Sequence, residues 1–151
     1  MTRVLPAVPA DVMTWRARGY LAIAAGRHLA VGTYVVLEPG DFTADAYQVI
    51  RDIAPMRAWG ILFLLGGLHL AYSAFAGREN HARTGLTISA GSSAAWAAGF
   101  FMGYFVGGIV TLLGGIIFTA LTLKDLVVCA QPMRSPFERI VREYSGSPTA
   151  G

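Results

Sequence analysis

Apolar length, broken in the first run only by Arg27 and His28 after its opening turn, is the feature that most constrains this chain. Residues 17–37 and 57–76 are apolar runs close to the roughly 20 helical residues needed to cross a hydrocarbon layer about 30 Å thick, and residues 86–130 form a third run about twice that length. Hydrocarbon offers no water to satisfy backbone N–H and C=O groups, so each crossing has to be a helix that satisfies them internally. The double-length run must therefore fold back once. The paired glycines Gly107-Gly108 tolerate the dihedral angles of a tight turn and mark where it does so. The expectation is an all-α integral membrane four-helix bundle, a single membrane domain with spans over about 17–37, 57–76, 86–106 and 109–130. Composition agrees, since only 14% of residues are charged, against about 25% in soluble domains.

Charge asymmetry orients the spans. The amino-terminal arm carries Arg3, Arg16 and Arg18 against Asp11, the 77–85 link carries Arg78 and Arg83 against Glu79, and the tail carries Arg134, Arg139 and Arg142 against Glu138 and Glu143. The 38–57 link is acidic, with Glu38, Asp41, Asp45 and Asp52 against Arg51 and Arg57. The positive-inside rule then places both termini in the cytoplasm of a multi-pass protein of the cytoplasmic (inner) membrane. Trp15 and Tyr20 at the inner end, and Tyr34, Trp59, Tyr104 and Phe105 at the outer end, stand where aromatic belts are expected. The amino-terminal apolar run is too long for a signal-peptide core and has no small-residue cleavage site, so it is expected to be retained.

Two flanking segments read as short interfacial helices. In the outer link Phe42, Ala46, Val49, Ile50 and Ile53 recur at helical spacing, with Asp41 or Thr43 as the starting cap and Pro55 as the end. In the 131–151 tail, Ser135-Pro136-Phe137-Glu138 has the form of a capping box. It leads to Phe137, Ile140, Val141 and Tyr144 on one face of an amphipathic cytoplasmic helix, with Arg139 and Arg142 toward anionic headgroups.

Several function classes are disfavoured. The formal charge of +3 comes from twelve bases, eleven of them Arg, scattered at the edges of apolar runs. That is no nucleic-acid surface. The single cysteine, Cys129, excludes an intramolecular disulfide and a cysteine-based zinc site, and reads as a small apolar residue near a helix end. No phosphate-loop, zinc-protease or nucleophile-elbow motif is present and the aqueous segments are short, so neither enzymatic activity nor a metal or other cofactor is expected.

What remains are intramembrane candidates. Gly91, Ala95, Gly99, Gly103 and Gly107 recur every four residues, with Thr111, Gly115 and Thr119 (beside Gly114) and the pair Gly67 and Ala71 on neighbouring spans. Such ladders let backbones approach closely, here first within the chain and second between copies in self-association. Arg27 lies about ten residues into its span, hence about 15 Å deep, where a guanidinium costs roughly 2.5 to 3.5 kcal/mol without a partner. Its candidate partners are Asp125 and the Ser89, Ser92 and Ser93 group. Asp125 lies about 9 Å nearer the cytoplasm on ideal helices, so the long Arg stem must reach down, and Lys124 competes for the carboxylate. His28 and His69 fall about 16 Å and 12 Å from the cytoplasmic side. They read as hydrogen-bonded structural histidines, with proton transfer or axial ligation of a haem as alternatives. His81 reads as solvent-exposed.

The stretch Arg27-His28-Leu29 with Gly32, through Leu37-Glu38-Pro39 and Phe42, to Tyr47, Trp59-Gly60 and Gly66-Gly67, resembles small four-span membrane proteins encoded by phages of actinobacteria. Some of these are called holins or lysis-cassette membrane proteins, and the resemblance covers residues 27–76. It implies oligomers in the host cytoplasmic membrane that collapse the barrier or release an endolysin, with no catalytic motif to carry over. The expected function is therefore holin-like, with self-association in the lipid bilayer producing a lesion. Two other expectations stand beside it. One is a transport or proton-conducting element using Arg27, His28, His69 and Asp125. The other is a structural membrane protein that docks a protein partner through its basic tail.

Overall fold

A computed structural model describes residues 13–133. The expected tail helix and its Ser135 capping box lie outside the described residues. All regular elements within them are helical: α1 (Trp15–Leu37), α2 (Gln48–Ile53), α3 (Met56–Ala76), α4 (Glu79–Met102), α5 (Tyr104–Gly107) and α6 (Ile109–Ala130), with 3-10 turns at Pro39–Phe42 and Asp45–Tyr47. α1 starts where the Thr14 hydroxyl accepts the Ala17 N–H at 3.3 Å, and stops two residues before Pro39, which cannot continue it. α3 ends at Gly77, whose left-handed φ of 63° suits a residue without Cβ.

α4 departs from the expected 86–106 span. It begins at Glu79, because polar residues extend a helix as readily as apolar ones, and Arg83 pairs with Glu79 one turn earlier at 2.8 Å. The expected 77–85 link shrinks to Gly77 and Arg78. At the far end α4 stops at Met102, so the reversal spreads over Gly103, the one-turn α5 and Gly108, which has φ 63°. α6 occupies the expected 109–130 interval.

The Met13 N–H donates to the Gly77 carbonyl at 3.0 Å and the Thr14 N–H to the Met133 carbonyl at 3.1 Å. Both ends of the described chain and the α3–α4 turn therefore share one end of the molecule. The acidic link and the Gly103–Gly108 reversal occupy the other.

Helices α1 and α3 pack along their length, as do α4 and α6, and α3 against α4 joins the two pairs. The α1–α3 seam is made by missing side chains. A methyl at Gly32 would stand 2.8 Å from the Gly60 carbonyl oxygen and the Leu64 nitrogen, one at Gly60 2.9 Å from the Val36 nitrogen, and one at Gly67 2.9 Å from Leu29 Cγ. Such close backbones gain dispersion contacts that lipid does not supply.

The expected four-residue ladder does not form one packing face. Gly91 is exposed, and a methyl added there would meet nothing within 4 Å. Gly99 lies under Ile50, Gly103 closes α4 beside the Gly99 carbonyl, and Gly115 lies under Phe101. Ala95 is half-buried beside an aromatic cluster, and Gly107 falls in α5, beyond the end of α4. A spacing of four advances about 40° per step around the helix, so five such positions cannot all share one neighbour.

Two apolar clusters fill the interior. Met13, Leu21, Ala24, Ala25, Leu70, Ala82, Leu86 and Met133 form one at the end shared by Met13 and Met133. Val35, Phe42, Ile50, Met56, Trp59, Phe63, Trp96 and Phe100 form the other. The outer link belongs to this second cluster. Phe42 packs edge-on to Trp96 at 6.4 Å, and the buried Trp59 ring donates its N–H to the Ile50 carbonyl at 3.0 Å. Phe42 and Ile50 of the apolar face expected to lie on a membrane surface are thus turned onto the protein while Ile53 stays exposed, and Trp59 is a core residue and no belt residue, because the aromatic side chains of α3 and α4 offer a drier surface than an interface does.

Large apolar side chains also cover the outside: Ile61, Leu65, Leu68 and Phe75 of α3, and Leu113, Ile117, Leu123 and Val127 of α6. Helices α1, α3 and α6 are long and apolar enough to cross a membrane. α4 is of similar length at 24 residues, and its Ser89, Ser92 and Ser93 point into the protein.

Candidate functional site

A polar layer lies between the two apolar clusters. On α1, Arg27 and His28 fall between Ala25 and Val35; on α4, the serines fall between Leu86 and Trp96. Tyr20 and Arg27, seven residues apart, project from one face of α1 toward α6. Asp125 of α6 is fully buried and receives three donors from two helices. The Tyr20 hydroxyl donates to Oδ1 at 2.6 Å, Arg27 Nη2 donates to Oδ2 at 2.9 Å, and the Ser89 hydroxyl donates to the same Oδ2. Arg27 Nη2 also lies 3.1 Å from Ser89 Oγ. A buried carboxylate is tolerable only when its charge is matched and its lone pairs are taken, and both conditions hold here.

The structure brings together the sequence candidates Arg27, Asp125 and Ser89. The depth difference between Arg27 and Asp125 is bridged by the Arg stem, whose side chain keeps 22% of its surface exposed. Lys124 does not compete for the carboxylate: its ammonium lies 5.1 Å from the Tyr20 ring centroid, outside the layer. Tyr20, expected in an aromatic belt, instead serves Asp125. Its spacing of two helical turns puts it on the same face of α1 as Arg27, but that spacing does not say which neighbour the face meets.

His28 is buried beside the ion pair. Its Nδ1 lies 3.1 Å from the Ala24 carbonyl oxygen, which can only accept, so Nδ1 carries the proton. Arg27 Nη2, a donor 3.5 Å from that nitrogen, is a neighbour and no bonded partner. Nε2 faces Ser92 Oγ at 3.5 Å, and the ring packs on Phe63 at 5.3 Å. Ser92 donates to the Ser89 carbonyl at 3.0 Å, which links His28 to the helix turn that supplies Asp125 with a donor.

His69 does not join this layer. Similar depth on two neighbouring helices does not make two residues face each other, and the His69 ring turns to His81 at 6.3 Å. The two histidines considered for axial haem ligation have different neighbours: His28 has Ala24, Ser92 and Phe63, and His69 packs on His81. His81, expected in solvent, is half-buried against His69 and Tyr72. Cys129 is half-buried, with Sγ 3.8 Å from the Arg83 carbonyl.

Tyr20, Asp125, Ser89, Ser92, Arg27 and His28 together form a set of hydroxyl, carboxylate, guanidinium and imidazole groups between the two apolar clusters. Ionisable groups enclosed among apolar helices recur in ion pathways and proton relays. The chain matches no family model, no curated protein and no solved structure.

Proposed function

We propose that this chain is a small four-span protein of the cytoplasmic membrane, with both termini in the cytoplasm, that passes protons through the Arg27–Asp125 layer. The observation that carries the reading is the fully buried Asp125, held by Tyr20, Arg27 and Ser89 between two dry clusters. The pairing of Met13 with Gly77 and of Thr14 with Met133 supports an even number of crossings, with α4 returning the chain between α3 and α6. The basic residues Arg16, Arg18, Arg78 and Arg83 gather toward that shared end, which supports a cytoplasmic assignment for it.

The test is a pH gradient across vesicles loaded with a pH-sensitive dye. Vesicles holding the purified protein should lose the gradient faster than empty ones, and Asp125→Asn and Arg27→Gln should both return the rate to background. A wild-type protein no leakier than lipid alone, or variants as leaky as wild type, would defeat the reading.

A second reading, holin-like assembly, draws on one observation besides the sequence resemblance. Apart from Ile88, the outward positions of α4 between Thr84 and Ala98 carry small side chains: Thr84, Thr87, Gly91, Ala94 and Ala98. Small residues suit a second helix better than lipid. Inducible expression that halts growth and depolarises cells, and that Gly91→Leu abolishes while Asp125→Asn does not, would favour this reading over proton passage. Gly91 is the proper probe, since Gly99 and Gly103 are already covered within the chain.

A further inference from the structure

Where α1 reaches across to α6, one cation inside an apolar span is left without a carboxylate. Lys124 stands six residues, or about 9 Å, inside the Ala130 end of α6. The carboxylate beside it in sequence, Asp125, is already taken by Tyr20, Arg27 and Ser89. The Lys124 ammonium turns instead across the seam to α1, 5.1 Å from the centroid of the Tyr20 ring. One turn earlier on the same face of α1, the Arg16 guanidinium lies 5.6 Å from the centroid of the Trp15 ring. Both cations are exposed, and the ion pairs among the described residues are Arg27–Asp125 and Arg83–Glu79, so neither is matched there.

The surface around them is apolar and open. Helices α1 and α6 are not among the pairs that pack along their length, and side chains bridge the seam between them. Trp15 and Ile23 on α1, and Leu123 and Val127 on α6, each leave more than half of their surface exposed. A methyl at Gly19, between Arg16 and Ile23, would meet nothing within 4 Å. A cation at this depth calls for an anion. The anion that arrives with apolar chains attached is a phospholipid headgroup, and basic pockets between spans on the cytoplasmic side are where such headgroups bind.

The geometry points to a site for one anionic phospholipid at the Met13–Met133 end of the α1–α6 seam, its phosphate held by Lys124 and Arg16 and its acyl chains lying along Ile23, Leu123 and Val127. Two unmatched cations complement a headgroup of net negative charge, so a headgroup that carries its own choline cation binds less well. The inference rests on the membrane-crossing reading and is independent of proton passage.

Native mass spectrometry of the full chain in detergent reads bound lipid directly. The probes are phosphatidylglycerol and phosphatidylcholine with identical acyl chains. One phosphatidylglycerol per chain is expected, bound about tenfold or more tighter than phosphatidylcholine. Lys124→Gln and Arg16→Gln should each weaken it about fivefold, while Arg57→Gln, which removes an exposed cation at the opposite end, leaves it unchanged. Equal affinity for the two lipids, wild-type affinity in Lys124→Gln, displacement of the lipid by inorganic phosphate, or a lipid-free dimer held by the same two residues overturns the site. Recovery of the chain in solution without detergent would instead remove the membrane reading on which the site rests.

Discussion

At the scale of single residues, the decisive feature is a carboxylate with no access to water. Removing one member of a buried ion pair leaves the other charge uncompensated, whereas replacing both with apolar groups removes the desolvation cost altogether. Arg27→Met is therefore expected to destabilise the protein by about 3 kcal/mol or more, and the double variant Arg27→Met/Asp125→Leu to recover most of that loss. Denaturant unfolding in detergent measures both, and a double variant no more stable than Arg27→Met would contradict this expectation. Tyr20→Phe removes one of the three donors to Asp125 and should cost about 1.5 to 3 kcal/mol, the range for a hydrogen bond to a charged group. Arg27 and Asp125 are legible in sequence because an isolated charge inside an apolar run demands a partner. Tyr20 is not, since an aromatic near a helix end fits a lipid interface equally well.

Between elements, glycines sort by what stands opposite them, and one substitution separates the cases. At Gly32 and Gly60 an added methyl meets backbone atoms of the facing helix at 2.8 to 3.0 Å, so α1 and α3 must move apart. Gly32→Ala or Gly60→Ala should cost about 1 to 3 kcal/mol, as overpacking does. At Gly26 and Gly91 nothing lies within 4 Å. Ala there should leave the melting temperature of the monomer unchanged or raise it. Equal effects at the two classes of position would dissolve the seam between α1 and α3. Spacing alone selects the wrong row of glycines, because a four-residue period marks small residues without saying which of them meets another backbone. Helix ends are easier to read. α1, α3 and α6 run close to their expected bounds, since apolarity stops where water begins, while α4 extends seven residues earlier through a polar first turn.

At the scale of the whole molecule, the two helix pairs are each tightly packed, and α3 against α4, the polar ties from α1 to Asp125 and the chain ends join them. In a four-span arrangement, a reporter inserted after Thr43 is accessible from outside the cell, and one inserted after Arg78 only from the cytoplasm. Both reporters on one side of the membrane would exclude that arrangement. The outer link illustrates how tertiary contacts redirect an element. Its apolar stripe is visible in the sequence, but Trp59, Trp96 and Phe100 offer it a drier surface than lipid headgroups do, so Phe42 and Ile50 turn inward.

The amino-acid order alone determined that the chain is helical, where α1, α3 and α6 run, that the long third run folds back near Gly108, and that Arg27 needs a partner. These follow from hydropathy, backbone hydrogen bonding and the cost of a lone charge, all of which act along the chain. Tertiary structure alone decided which glycines mate α1 to α3, that Tyr20 serves Asp125, and that His69 turns from His28 to His81. Those outcomes depend on the rotation of each helix about its own axis, which is set by how side chains of distant segments interlock and leaves no mark in local sequence.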